Sequence, residues 1–372
     1  MNKKILIITG VLIAVASIGA FIFWPDETAI SRPQEPKMPY PYVSEDVTFQ
    51  NKEANITLSA TLTLPAKEGN YPAVILITGS GPQNRNEEVA GHKPFLVISN
   101  HLTRNGIAVL RYDDRGFGQS TGDFKSATSL DFARDVESAI SYLKTRPEIN
   151  KGKIGLVGHS EGGMIAPIVA SQSPDVNFIV LLAAPGIKGD KLLLMQSALM
   201  GRAMGLSETD IQKSLKVNAA VYGMIEKSDN PETLKADLTR FAKDHIEDMP
   251  DKLVPPNMTK EEFVAANVDA LSTPWWQYLL KYDPVPVIEK VTCAVLVLNG
   301  EKDLQVPPKE NLAAIGEALK KGGNQKTTIK ELPDLNHFFQ ECDTGSPAEY
   351  AKIEQTFSPV ALTEISDWIL KQ

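Results

Sequence analysis

Cysteine is almost missing from this chain. Its 372 residues hold two, Cys293 and Cys342, and no Cys-x-x-Cys pair, which excludes zinc and dithiol motifs of that spacing. A disulfide between the two is disfavoured. Cys293 is expected to begin a strand and Cys342 to follow a loop at that strand's far end. A six-residue strand spans about 20 Å, whereas bridged Cα atoms lie within about 7 Å of each other. Basic clusters are also lacking. Lys and Arg number 38 against 46 Asp and Glu, a formal net charge of -8. An acidic surface repels phosphate backbones, which excludes nucleic acid as a partner. No internal repeat is visible. Hydrophobic residues make up 42% and charged residues 23%, enough apolar surface for a full-sized core and too little charge for wholesale disorder.

Long apolar runs are scarce, so the one at residues 5–24, ILIITGVLIAVASIGAFIFW, stands out. It carries no charge and matches the roughly 20 residues that cross a hydrocarbon core. Lys3 and Lys4 precede it and Asp26 and Glu27 follow, an asymmetry that puts the N-terminus inside and the rest outside. Trp24 stands where an interfacial aromatic belongs. A signal peptide cleaved near Ala14-Val15-Ala16 is the competing reading. The apolar run continues past that point through Phe21, Ile22 and Phe23, which favours an uncleaved anchor. Both readings export the catalytic part, tethered or secreted, and no cysteine follows the run to accept a lipid. Residues 25–44, with Pro25, Pro33, Pro36, Pro39 and Pro41, read as an extended linker.

Beyond the linker, residues 56–64 alternate apolar and polar side chains. With VTFQ near residue 47 they predict an antiparallel edge pair with one wet face. The pattern then changes to short continuous apolar runs at 73–78, 107–112, 153–158 and 177–183. Helical stretches near 88–104, 129–146 and 161–172 separate them. This alternation predicts an α/β fold, with a parallel sheet buried on both faces. It resumes with strands at 293–300 and 327–332 and helices near 308–321 and 358–371. Between the two halves, residues 187–285 read as helical. Asn230-Pro231 and the capping box TKEE at 259–262 mark helix starts. The chain thus divides into a core at 45–186, a helical cap at 187–285 and a second core portion at 286–372. The cap should roof the carboxyl ends of the strands, where such sheets bind ligands.

The chemistry concentrates at GHSEGG, residues 158–163, between a predicted strand and a predicted helix. A reversal this tight strains the backbone at Ser160 and crowds its neighbours, so Gly158 and Gly162 are needed on either side. The turn lifts the Ser160 hydroxyl above the sheet edge and places the Glu161 amide at a helix N-terminus, where it can stabilise an oxyanion. Among five histidines, His337 lies in the loop after the last predicted strand, at the same sheet edge, and is the candidate base. His159 should point away under the turn. His92, His101 and His245 read as packed or surface residues. Asp303, a few residues beyond the strand that ends near Asn299, is the candidate orienting acid, with Glu301 and Asp334 as alternatives. The order Ser160, Asp303, His337 matches that of α/β-hydrolases. A second oxyanion donor is expected from the loop ITGSGPQNRNE, with Gly81 slightly preferred over Ser80. Trp275, Trp276 and Tyr278 in the cap and Arg85 are candidate substrate contacts, against the plainer readings of core aromatics and a loop brace. In RYDDRGFGQSTG, residues 111–122, Asp113, Arg115, Gly116 and Gly118 read as fixing a loop, because the spacing of a nucleotide-binding loop is missing.

Taken together, GSGPQNR, DDRGFGQS, GHSEGG, GEKDLQVP and NHFFQ resemble the bacterial α/β-hydrolase carboxylesterases. These are related to dienelactone-hydrolase-like and acyl-CoA-thioesterase-like hydrolases and to the serine aminopeptidase group. The resemblance spans about residues 45–372. It implies an α/β-hydrolase fold with an eight-stranded, mostly parallel sheet, helices on both faces and a helical cap. It also implies no cofactor or metal, and a small-molecule ester of short acyl chain as substrate. Nucleophile, acid and base would map to Ser160, Asp303 and His337. One departure is Asn84, where close relatives tend to carry an aspartate. A serine at the elbow argues against dienelactone hydrolase, dehalogenase and epoxide-hydrolase chemistry. A peptidase or aminopeptidase and a thioesterase are rival enzymes of the same fold, and a membrane-tethered binding protein with a disused site is the non-enzyme rival.

Overall fold

A computed structural model describes residues 30–249, 251–255 and 257–372. The apolar run at 5–24 and the start of the linker lie outside the described residues. Among the described residues, no helix is long and apolar enough to cross a membrane.

Eight strands form one sheet in the order β1-β2-β4-β3-β5-β6-β7-β8 among the described residues. They are β1 (Val43–Asn51), β2 (Ile56–Leu64), β3 (Tyr71–Ile77), β4 (Ala108–Tyr112), β5 (Ile149–His159), β6 (Phe178–Leu182), β7 (Ala294–Gly300) and β8 (Thr327–Leu332). β1 and β2 pair antiparallel, β2 meets β4 antiparallel, and every later pairing is parallel. The continuous apolar runs explain the double burial. Successive side chains of a strand point to opposite faces, so Ile75 and Ile77 enter one core cluster and Val74 and Leu76 the other. The first face is covered by α2 (Ser129–Leu143), α3 (Glu161–Ala170) and α10 (Pro308–Lys321). The second is covered by α1 (Pro94–Arg104) and α12 (Pro359–Ile369).

Two sequence expectations are corrected here. β1 and β2 form the expected antiparallel pair at the sheet edge, but the polar face of β2 is not wet. Ser59, Thr61 and Thr63 are buried. The Thr63 hydroxyl bonds Ser99 and Thr103 of α1, and Ser59 and Thr61 accept from Arg85. Short hydroxyl side chains read as solvent-facing, yet they suit a dry face once a neighbour satisfies them. Nor is the linker free along its length. Arg32 donates to the carbonyls of Ala90, Gly91, Ala351 and Ile353, and Gln34 bonds the backbone of Thr356 and Phe357. Residues 32–35 therefore lie docked on the body.

Between β6 and β7 runs a helical excursion. It comprises α4 (Gly189–Ala203), α5 (Glu208–Lys227), α6 (Pro231–Asp244), α7 (Lys260–Leu271), α8 (Pro274–Lys281) and the single turn α9 (Val285–Ile288); α11 (Pro347–Tyr350) is another short turn, after β8. The helix starts follow the local signals. The Asn230 side chain accepts from the amides of Glu232 and Thr233, and Thr259 and Glu262 cap each other reciprocally. Cys293 and Cys342 are both free.

Candidate active site

β5 ends at His159 and α3 begins at Glu161, so Ser160 alone makes the reversal. It pays with a left-handed backbone, φ 52° and ψ -115°, a strain that persists only where its surroundings over-determine it. The Ser160 amide is held by the Leu182 carbonyl at 2.9 Å. A Cβ on Gly158 would lie 2.0 Å from the Gly162 carbonyl oxygen, and one on Gly162 would lie 2.1 Å from that of Ile77. Steric crowding, not a positive φ, therefore demands both glycines.

Two loops at the same sheet edge bring the acid and the imidazole together. After β7, the Asp303 amide turns back to the Gly300 carbonyl, and Asp303 Oδ1 accepts from the amides of Gln305 and Val306 at 2.8 and 2.9 Å. Its Oδ2 lies 2.8 Å from His337 Nδ1. After β8, Asn336 Oδ1 accepts from the amides of Phe338 and Gln340, which shapes the turn carrying His337. With Nδ1 donating to Asp303, the lone pair of a neutral His337 ring falls on Nε2. Asp303 and His337 are both buried. The alternative acids are engaged elsewhere. Glu301 accepts the Asp334 amide, and Asp334 pairs with Lys302.

Ser160 and His337 line a single cavity of about 80 Å³ together with Ser80 and Glu161, and Leu193 of α4 and Leu279 of α8 form part of its wall. Helices of the excursion between β6 and β7 thus wall the cavity beside the β5–α3 turn. Of the two candidates for the second oxyanion donor, Ser80 lines this cavity and the preferred Gly81, with φ 92°, does not. The Gly79 amide is unavailable because it donates to Glu87 Oε1 at 2.7 Å. Glu161 is expected to contribute its amide, but its side chain also matters. Buried beside the cavity, Glu161 Oε1 accepts from Ser129 Oγ at 2.6 Å and Trp275 Nε1 at 2.7 Å. Burial raises its pKa against the lowering effect of these donors. One carboxylate thereby ties the cap to the core.

Other candidates fall outside the cavity. Trp275 is turned toward Glu161, Trp276 is buried in the core, and Tyr278 packs against that core. The contacts of Arg85 fit the plainer of its two readings, a loop brace. Its guanidinium bonds Asp113 through Nε and Nη2 at 3.0 and 2.9 Å and also reaches Ser59, Thr61 and Asp46. Asp113 and Arg115 hold the 111–122 loop as expected, Arg115 through Asp135. Asn84 Oδ1 accepts the Asn86 amide and so closes a turn. His92 bonds Thr356 and the Tyr350 carbonyl, His101 bonds Ser366, and His245 stacks on Phe241.

Sequence reasoning missed Glu87 altogether and gave His159 no partner. Glu87 is buried with φ 52°, and its Oε1 lies 2.9 Å from His159 Nδ1. His159 Nε2 faces the His337 carbonyl oxygen at 3.0 Å. No periodicity marks a carboxylate in RNEEV as buried, and nothing in the spacing joins residues 87 and 159.

The profile of the family described as "Serine aminopeptidase, S33" matches residues 95–341. Esterase EstD of Thermotoga maritima is 26% identical over 333 residues, covering 87% of this chain and 68% of the relative. Among solved structures, the hypothetical protein PA2218 of Pseudomonas aeruginosa superposes with a TM-score of 0.54 at 14% identity, over 94% of this chain and 98% of the other. The Pyrococcus furiosus esterase Pf2001 superposes at 0.52 and 15% identity, over 89% and 93%. At these identities the structures speak for the fold alone, which is that of an α/β-hydrolase.

Proposed function

This chain belongs to the serine aminopeptidase S33 family of α/β-hydrolases, and from that premise we propose that it is a carboxylic-ester hydrolase acting through an acyl-enzyme on Ser160. The observation that carries the reading is that Ser160 shares one covered cavity with His337, whose Nδ1 is held by Asp303. The similarity to an esterase supports the choice of bond. The cavity supports a short acyl group, being far below the roughly 300–1,000 Å³ of sites for drug-sized ligands.

In this mechanism His337 Nε2 takes the Ser160 proton as Oγ attacks the ester carbonyl, and Asp303 stabilises the imidazolium. The negative oxygen faces the amides of Glu161, at the start of α3, and of Ser80. Collapse expels the alcohol, protonated by His337. Water, activated by the same imidazole, then releases the acid and restores Ser160. The test is turnover of a short-chain p-nitrophenyl ester beside an aminoacyl anilide, with Ser160→Ala as control. Ester cleavage lost in Ser160→Ala supports the reading, and turnover of the anilide alone ends it.

An aminopeptidase is the second reading, favoured by the Glu161 carboxylate at the cavity wall, where a substrate ammonium group would find a negative charge. The same pair of assays separates the two. We further propose that residues 5–24 keep the enzyme at the outer face of a membrane, on the strength of their length and flanking charges. Protease accessibility of the domain in intact cells tests this, and full protection would contradict it.

A further inference from the structure

Lining the same cavity as the proposed nucleophile is a second acid–imidazole pair that the mechanism above does not use. Glu87 Oε1 receives two donors, the Gly79 amide at 2.7 Å and His159 Nδ1 at 2.9 Å. The other ring nitrogen, His159 Nε2, meets the His337 carbonyl oxygen at 3.0 Å. Both ring nitrogens of His159 therefore face oxygen acceptors. A neutral imidazole has one N–H and would set a lone pair against one of those oxygens. Protonated at both nitrogens, the ring satisfies both contacts and neutralises the Glu87 carboxylate.

The place of this pair is as telling as its chemistry. Gly79 opens the loop that carries Ser80, and a Cβ on Gly79 would lie 3.3 Å from both Glu87 Oε1 and Ser160 Cβ and 3.5 Å from His159 Nδ1. The elbow, the oxyanion loop and the pair are thus packed so closely that a methyl group would fit only if its neighbours gave way by a few tenths of an ångström. The rings of His159 and His337 have centroids 4.8 Å apart. Glu87 holds its position on a left-handed backbone, the kind of local cost that clusters at functional sites.

We propose that Glu87 and His159 form a buried carboxylate–imidazolium pair that positions the oxyanion loop and the His337 loop against the nucleophile elbow. Glu87 fixes the Gly79 amide and His159 fixes the His337 carbonyl, so one pair sets two catalytic loops relative to Ser160. Neither residue is assigned contact with substrate; both are positioning residues, and their role rests on the reading of Ser160 and His337 as nucleophile and base. Burial alone would lower the His159 pKa, but the charge and hydrogen bond of Glu87, the His337 carbonyl and the more distant Asp303 carry it above the ordinary value.

Glu87→Gln, His159→Asn and the double variant test this, with kcat referred to active sites titrated by a fluorophosphonate. Glu87→Gln keeps shape and an acceptor for Gly79 but removes the charge that sustains the imidazolium. Each single variant should lose about 10–100-fold in kcat, as expected for a small misplacement of reacting groups, with KM within about threefold. The double variant should be no worse than the poorer single one, because the two act as a unit. Wild-type kcat in a folded single variant, or losses that multiply in the double, overturns the proposal. If Glu87→Gln does not accumulate folded, His159→Gln carries the same criterion. Ser160→Ala in the same assay separates the two claims: retained turnover there defeats the esterase reading, whereas its loss beside an unaffected Glu87→Gln defeats only the pair.

Discussion

Asp303 Oδ2 stands 2.8 Å from His337 Nδ1 and so joins the loops that follow β7 and β8. The contact orients an imidazole that shares a cavity with Ser160. Its proposed role is to select the tautomer with the lone pair on Nε2. Asp303→Asn should lower kcat by about 10⁴-fold, as loss of the correct tautomer does in a serine triad. Glu301→Gln and Asp334→Asn, whose partners are Asp334 and Lys302, should leave it unchanged. Steady-state ester hydrolysis decides, and an equal loss in Asp334→Asn would reassign the acid.

Arg85 and Asp113 form a bidentate pair, with side chains 13% and 5% exposed. Removing the cation leaves a buried carboxylate short of its partner. Arg85→Met should therefore cost about 3 kcal/mol of unfolding free energy, with KM for a short neutral ester unchanged. Urea titration and a KM measurement together check this. A raised KM at unchanged stability would restore Arg85 as a substrate contact.

Crowding at the elbow predicts a contrast between two glycines. Gly162→Ala places a methyl carbon 2.1 Å from the Ile77 carbonyl oxygen and should cost at least about 3 kcal/mol, the upper range for overpacking. At Gly81 the space is open but φ is 92°, so Gly81→Ala should cost only about 1–2 kcal/mol. Thermal unfolding of the two variants gives the comparison. Equal losses would mean that the surroundings of Gly162 relax around the added methyl and that crowding does not govern the elbow.

The raised His159 pKa has a signed consequence for stability. A base whose folded pKa exceeds its unfolded value stabilises the fold fully below that unfolded value, here 6.5, and less as pH climbs through the folded one. Wild-type protein should thus lose stability above pH 6.5 more steeply than Glu87→Gln, in which the charge that raises the pKa is gone. Unfolding free energies measured across that range test the sign. Parallel curves for the two proteins would show that Glu87 does not sustain the imidazolium.

Much of this molecule is written locally. Continuous apolar runs such as 73–78 announce strands buried on both faces because adjacent side chains point to opposite cores. The elbow is legible in six residues because its steric demands fall on immediate neighbours of Ser160. Chain order and the ends of the predicted strands were enough to nominate His337 and Asp303, which the fold brings to 2.8 Å. Tertiary structure alone decided the rest. Glu87 meets a histidine 72 positions away, and that histidine meets a carbonyl 178 positions further on. Arg85 is withdrawn from the cavity by an aspartate 28 residues later, and the hydroxyls of β2 are dry because a helix and that arginine cover them. Periodicity and turn sterics act between neighbours in the chain. The partner of a buried charge is chosen by whatever packing brings near it, and neither composition nor spacing encodes that choice.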